Sequence, residues 1–420
     1  MKQEKTKHGF TKHEWNWILY DVGNSAFTML ATTIIPIYFK YIAGKQGVSS
    51  VDYLAYWGYA ASIATLIVAI LGPIVGTFTD NKGFKKPIFM ISLIVGSFAC
   101  VALCVAGHWL AFLILFIISK VGYSSSLIFY DSMLPDITTP EHMDRVSTSG
   151  YAWGYIGSCI PFIACLGVVL GKDLVGLSME VAMGIAFVIT AAWWIGMTVP
   201  LLRCYEQKYF MDCPKHAVAA TFKRLGQTFA NAKKHSRIFW FLIAFFFYID
   251  GVYTIIEMAV SYGEALELGS TGLLLALLVT QLVAFPCSII FGKLSKKFAT
   301  EHLIMVCIGA YLCIAVYAIF LSSIAQFWAL AVLVGMFQGG VQALSRSYYT
   351  KIIPPEQSGE FFGIYDICGK GASFIGTTLV AFVSQMTGSI NKGISVLSVI
   401  FLLGFVLFMK AVSVNRQSKA

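Results

Sequence analysis

The sequence predicts an all-helical membrane protein in which twelve spanning helices form two six-helix bundles. Of its 420 residues, 58% are hydrophobic and only 12% are charged, about half the charged share of a soluble domain, which is about 25%. Twelve apolar stretches are long enough to cross a bilayer, which takes about 20 residues each. The basic residues alternate from one side of these stretches to the other. This composition excludes a water-soluble enzyme and a disordered chain.

The apolar stretches define the predicted elements in order along the chain. The twelve predicted helices are 16–39, 53–78, 87–107, 109–131, 148–171, 179–201, 238–260, 270–291, 302–322, 325–349, 359–385 and 393–412. A polar segment separates the sixth helix from the seventh. We therefore expect an N-terminal bundle over 1–201, a linker over 202–237 and a C-terminal bundle over 238–420.

The distribution of Lys and Arg supports this count of helices. If the N-terminal side is cytoplasmic, 24 of the 30 basic residues lie in segments on that side, 4 lie on the other side, and Lys120 and Lys370 lie inside helices. Cytoplasmic loops carry such an excess of basic residues. The pattern predicts a multi-pass protein of the plasma (inner) membrane with both termini cytoplasmic. The first apolar run is too long for a cleavable signal, so we expect it to be retained.

Two similar segments indicate an internal repeat. Gly76 lies near the end of the second predicted helix and Gly292 directly after the eighth, 216 positions later. Pro135 follows the fourth helix and Pro354 follows the tenth, 219 positions later. Repeats of about half a chain are common in transporters, whose substrate sites lie between the halves near the bilayer midplane.

The segment 76–86 resembles the loop between helices 2 and 3 of the major facilitator superfamily, which reads G-x-x-x-D-x-x-G-x-[KR]-[KR]. Gly76, Asp80 and Gly83 occupy its fixed positions. Gly83 permits a tight turn, and Asp80 can face a helix N-terminus or a cation. The resemblance implies that Asp80 helps to latch the two halves together in one state. The alternative is a simple loop cap.

Further stretches resemble one branch of that superfamily, the vacuole-effluxer-like family, whose fungal members export amino acids from the vacuole. The resemblance rests on residues 17–27, 129–137, 146–157, 246–256, 338–348 and 360–370. They span the chain in order, at the expected helices. The sequence departs from the family at Asp131, where Asn is expected, and at the added charge Lys120.

Polar residues inside the predicted spans are candidates for function, because an ionisable group in a bilayer is costly unless paired or wetted. In this superfamily helices 1, 4, 7 and 10 line the central cavity. The predicted substrate- or ion-binding residues on those four helices are Asp21, Asn24, Lys120, Tyr130, Asp131, Asp250, Glu257, Gln338 and Gln342. From helical rise, Asp250 lies about 18 Å into its helix and Lys120 about 16 Å.

A second group has predicted gating or structural roles. It comprises Asp80, Gly76, Gly83, Arg346, Asp366 and Lys370. Asp366 and Lys370 are four residues apart on one helix, so they could pair with each other or contact substrate. Arg346 could be a gate or a lipid anchor, and Asp21 could bind a ligand or cap the first helix.

These features predict a secondary transporter that works by alternating access on a small polar solute. We expect amino acids as substrates and coupling to protons, with Asp250 as the proton carrier and Lys120 beside it. No nucleotide-binding or hydrolase motif occurs, so we expect no enzyme activity, cofactor or metal. The expected partners are the solute, protons and the lipid bilayer, not nucleic acid, and the protein is expected to be a monomer. A drug or metabolite exporter and a non-transporting receptor or scaffold remain alternatives, and the substrate, flux direction and coupling ion stay open.

Overall fold

A computed structural model describes residues 9–212, 236–265 and 270–417, which form twelve long helices. The first bundle contains α1 (Lys12–Lys45), α2 (Ser50–Thr79), α3 (Lys85–Ala102), α4 (Trp109–Ser132), α5 (Met143–Leu170) and α6 (Met179–Cys204). The second contains α7 (Ser236–Ala265), α8 (Ser270–Leu294), α9 (Thr300–Ile319), α10 (Ile324–Ile352), α11 (Ser358–Thr387) and α12 (Ile390–Gln417). The predicted fold class is confirmed.

Over the described residues, eleven of these helices are long and apolar enough to cross a membrane. In α11 the described apolar stretch is Ile375–Thr387, because the side chains of 370–374 lie outside the described part of the chain. If each of the twelve long helices crosses once, the end of α12 lies on the face where α1 begins. We call this face the terminal face and the other the opposite face.

Helix α1 begins earlier and ends later than predicted. Thr11 caps its first turn, since the Thr11 hydroxyl accepts from the Glu14 amide while the Glu14 carboxylate accepts from the Thr11 amide. This reciprocal pair is a sequence signature of a helix N-terminus. A π-helical turn at Leu30–Ile34 precedes Pro36, which lacks an amide hydrogen and cannot continue a regular hydrogen-bond ladder.

The helix contacts repeat from one bundle to the other. In the first bundle α1 packs against α5 and α6, and α4 packs against α2 and α3. The corresponding helices of the second bundle make the same contacts, α7 with α11 and α12, and α10 with α8 and α9. The bundles meet through α2 against α11 and through α5 against α8, which are equivalent pairs under the same repeat. The pseudo-symmetry predicted from the sequence is therefore present in the packing.

The outer helices carry part of the exposed apolar surface. Large hydrophobic residues of α3, α6, α9 and α12 are exposed, among them Ile91, Phe98, Val188, Val306 and Val399. A broad apolar surface of this kind marks contact with a membrane or a partner, and in a chain with these spans it fits contact with lipid.

The chain after α6 folds back along the terminal face. Asp136, which follows α4, accepts hydrogen bonds from the Tyr205 hydroxyl (2.6 Å) and from the amides of Lys208 and Tyr209 (2.9 Å each). Met211 exchanges backbone hydrogen bonds with the loop after α2. Burial, together with the nearby Asp136 carboxylate, raises the pKa of Tyr205, so its hydroxyl stays a donor. The rest of the predicted linker, 213–235, lies outside the described residues, and the predicted domain boundaries stay a prediction.

Candidate functional site

Arg346 of α10 reaches across from the second bundle into the first. Its Nη1 donates to Asp131 of α4 (2.9 Å) and its Nη2 to Asp21 of α1 (3.3 Å). Its Nε and Nη2 also donate to the hydroxyl and carbonyl oxygens of Ser147 of α5, at 2.9 and 3.0 Å. The side chain is 2% exposed. One guanidinium thus joins four helices and both bundles.

Aromatic rings surround this guanidinium. Its carbon atom lies 4.7 Å from the ring centre of Trp17 and 4.5 Å from that of Tyr151. Tyr130 stacks on Trp17 at 4.3 Å, and the Trp17 indole donates to the Tyr130 carbonyl oxygen. The planar arginine side chain is suited to such stacking and to bidentate contact with carboxylates. The predicted residues Asp21, Tyr130, Asp131 and Arg346 therefore lie in one cluster, which we call the arginine cluster.

The predicted loop motif lies at a second contact between the bundles. The Asp80 carboxylate accepts hydrogen bonds from the amides of Gly359 (2.7 Å) and Glu360 (3.1 Å), which lie in the first turn of α11. Amides at a helix N-terminus have no partner within the helix, so a carboxylate there is stabilising. A Cβ on Gly76 would stand 2.2 Å from the Gly359 carbonyl oxygen, so the two helices approach too closely for any larger residue.

Further hydrogen bonds fix the same loop and the start of α3. Gly83 adopts a φ of 81°, and its amide donates to the Gln207 side chain. Buried Lys85 donates to the Ser132 carbonyl oxygen (3.1 Å) and to the hydroxyl of Ser358 at the start of α11 (2.8 Å), and lies 3.5 Å from Asp136.

A third contact joins α5 to α9 and α10. Asp144 accepts the hydroxyls of Ser347 (2.6 Å) and Thr300 (2.7 Å) and forms an ion pair with Lys351 (2.7 Å). These three contacts lie near the terminal face, where α2, α4, α8 and α10 end and α5, α9 and α11 begin. The protein is closed at that face.

Towards the opposite face the wall of the site becomes exposed. Asp21 and Asn24 on α1 are buried, at 6% and 3%, whereas Thr28 and Thr32, farther along the same stripe, are exposed. Residues four apart lie on one side of a helix, and we interpret this change as a cavity that widens away from the arginine cluster. The Thr28 hydroxyl shares a hydrogen bond with that of Tyr123 on α4 (2.6 Å).

Asp250 is 2% exposed and lies between α7 and α11 of the second bundle. Its Oδ1 accepts the Gly376 amide of α11 (3.0 Å) and the Thr254 hydroxyl (3.4 Å). Gly376 has no side chain at this contact, and a Cβ there would stand 2.4 Å from Oδ1. Asp250 is therefore outside the arginine cluster, and both of these partners are uncharged.

Three further predicted residues lie on α1 and α10. Asn24 donates to Asp21 (3.2 Å). Gln342 accepts the Tyr155 hydroxyl of the first bundle (3.2 Å), and Gln338 is buried one turn away on α10.

Glu257 is exposed and close enough to Lys120 for an electrostatic interaction. Asp366 lies within electrostatic range of Asp131, Tyr123 and Tyr253. The Lys370 side chain lies outside the described part of the chain.

The structure corrects the view of Asp21 as a helix cap and of Arg346 as a lipid anchor. Thr11 caps α1, and Asp21 lies nine residues inside it. Sequence reasoning missed Ser147, Tyr151, Asp144 and Lys351. The predicted fifth helix begins at 148, which places Asp144 and Ser147 in the preceding loop, although polar residues before an apolar run are a helix-start signal.

No metal site is apparent in residues 9–212, 236–265 and 270–417, which hold no group of three His, Cys, Asp or Glu side chains arranged to bind an ion.

The chain is similar to several known proteins. A family model described as "Vacuole effluxer Atg22 like" matches residues 11–420. An uncharacterized MFS-type transporter of Bacillus subtilis, YxiO, is 43% identical over 95% of this chain and 94% of its own length. Autophagy-related protein 22 of Botryotinia fuckeliana is 23% identical over 62% of this chain, and the match spans about half of the fungal protein, 48%.

Solved structures share the fold. The transporter FucP in its outward conformation aligns with a TM-score of 0.73, 13% identity and coverage of 95% of this chain and 98% of FucP. A bacterial homologue of the iron transporter ferroportin in an outward-facing state aligns with a TM-score of 0.71, 15% identity and coverage of 95% and 99%.

Proposed function

The chain belongs to the vacuole effluxer Atg22-like family and is an MFS-type transporter, not an enzyme, and from this premise we propose that it moves amino acids by proton-coupled alternating access. The observation that carries the proposal is the cavity itself. Charged side chains of both bundles meet at its closed end, and its wall becomes exposed towards the opposite face. A site of this shape has to open at the terminal face to release a solute.

The charges along the cavity favour a zwitterion. Glu257 on α7 and Lys120 on α4 come from different bundles and lie in electrostatic range of each other. A free amino acid carries an ammonium and a carboxylate, which such a carboxylate and ammonium pair can bind together. The fungal relatives named above belong to the same family, which supports this substrate class.

Asp250 is our candidate proton carrier. A carboxylate can bind a proton in one state and release it in another, and the described partners of Asp250 are a backbone amide and a hydroxyl. Neither supplies a positive charge, so uptake of a proton breaks no ion pair with them. The excess of basic residues at the terminal face supports a plasma-membrane protein with that face cytoplasmic.

The test is uptake of amino acids into proteoliposomes under an imposed pH gradient. We expect Asp250→Asn to abolish gradient-driven flux and to retain exchange of substrate, because the variant keeps an acceptor for Gly376 but cannot bind a proton. Glu180→Gln is the matched control, since Glu180 pairs with Lys45 on the opposite face and both side chains are about half exposed.

Unchanged gradient dependence in Asp250→Asn would remove Asp250 from coupling. Uptake of hydrophobic drugs without uptake of any amino acid would replace the substrate class with that of an exporter.

A further inference from the structure

The internal repeat relates the two main contact zones between the bundles. Gly76, in the last turn of α2, contacts Gly359 of α11. Gly292, 216 positions later and in the last turn of α8, contacts Thr148 of α5. In both places the helices touch at a glycine, since a Cβ on Gly292 would stand 2.3 Å from the Thr148 hydroxyl. One zone is the counterpart of the other in packing.

The chemistry of the two zones is not the same. The position equivalent to Asp80 is occupied by Lys296, which cannot accept the amides at the start of α5. The same offset pairs Asp144 with Glu360, whose amide Asp80 binds. One zone therefore has a carboxylate in the loop and another in the first turn of the facing helix, whereas the other zone has only the one in the first turn.

Asp144 makes its contacts with side chains rather than with backbone. Its carboxylate is 7% exposed and binds Lys351 of α10, which is 24% exposed, and the hydroxyls of Ser347 and Thr300. Lys351 also donates to Thr300 (3.2 Å). Asp144, Lys351, Ser347 and Thr300 thus form one network that connects α5 of the first bundle to α9 and α10 of the second.

We propose that Asp144 and Lys351 form a second lock at the terminal face, which must break each time that face opens. The proposal rests on the alternating access proposed above. The two locks differ in kind. Asp80 accepts hydrogen bonds from backbone amides of α11. The Asp144–Lys351 lock is an ion pair between side chains, so exchanging the two residues inverts its charges.

The experiment measures distances between spin labels in a variant without native cysteines. Labels at Glu141 and Lys297, both exposed, span the second lock, and labels at Lys82 and Glu356, also exposed, span the first. We expect Asp144→Asn and Lys351→Gln each to raise the open fraction, measured between the labels at Glu141 and Lys297, about fivefold. This is the range for loss of one partly exposed ion pair. The double variant D144K/K351D restores the closed distance.

Lys296→Gln is the matched control, since it removes the same charge from an exposed position of the neighbouring loop. Unchanged distances in both single variants, or a double variant that is folded yet as open as the single ones, would overturn the proposal. If Asp144→Asn does not fold, Lys351→Gln and Ser347→Ala carry the test. No substrate is added, so a failure of the transport assay leaves this result interpretable.

Discussion

Gly376 fixes the position of Asp250 because it has no side chain. Its amide is a hydrogen-bond donor to Asp250, and its Cα faces the same carboxylate oxygen so closely that a methyl group would overlap it. At another glycine of the same helix, Gly369, an added Cβ would stand 3.6 Å from the nearest atom, which belongs to Phe245. The two glycines therefore offer a matched pair of sites.

We predict that Gly376→Ala lowers the free energy of unfolding by about 1–3 kcal/mol, the usual cost of overpacking, and reduces pH-driven uptake because Asp250 must turn away. Gly369→Ala should be neutral in both measurements. Thermal unfolding of the purified proteins and uptake into proteoliposomes check the pair. Equal behaviour of the two variants would contradict the role given to Gly376.

Single residues show what sequence reasoning can reach. The depth of Arg346, Asp250 and Asp131 follows from helical rise, because each residue advances the chain by a fixed distance. Their partners depend on how each helix is rotated and which helices of the other bundle it meets. The pairing of Arg346 with residues 215 and 325 positions away is therefore absent from any local pattern.

At the scale of the helices, α2 and α11 pack so closely that only glycine fits at their contact. Gly76 faces the Gly359 backbone, and Gly363 faces the backbone of Pro73, which a Cβ on Gly363 would meet at 2.6 Å. Small residues that bring helices together in this way are typical of membrane interfaces.

We predict that Gly76→Ala prevents full closure of the terminal face, because the added methyl group meets the backbone of α11, which cannot move aside as a flexible side chain would. Labels at Lys82 and Glu356 should report a longer distance. Gly58→Ala, on the same helix but with no atom within 4 Å, is the control. A closed distance in both variants would show that the helices tolerate the methyl group.

The elements themselves were predictable because each span is long and apolar, and the order and number of helices follow from that pattern. The ends were less so. The apolar pattern predicts α1 over 16–39, whereas the Thr11–Glu14 capping pair makes it begin at Lys12 and it continues beyond Pro36 to Lys45. Proline is compatible with a helix whose preceding turn is widened, which apolar patterning cannot indicate.

For the molecule as a whole, the contacts between the bundles lie near one face, and we interpret the exposed end of the α1 stripe as an opening at the other. We predict that Thr32→Cys, in a variant without native cysteines, reacts rapidly with a polar thiol reagent, because Thr32 is exposed. Ala343→Cys should react slowly, because Ala343 is fully buried and its carbonyl oxygen accepts from Ser147 of the other bundle. Equal rates at the two positions, measured by mass spectrometry, would contradict an asymmetric cavity.

The attachment of residues 205–211 has a mechanical consequence for that change of state. The covalent connection between the bundles leaves α6 but is fastened by Asp136, Gln207 and Met211 as far as the turn after α2. Any displacement of residues 205–211 would therefore be passed to the turn that carries Asp80. The start of the segment that joins the two bundles is thus attached to the same turn whose Asp80 binds the N-terminus of α11.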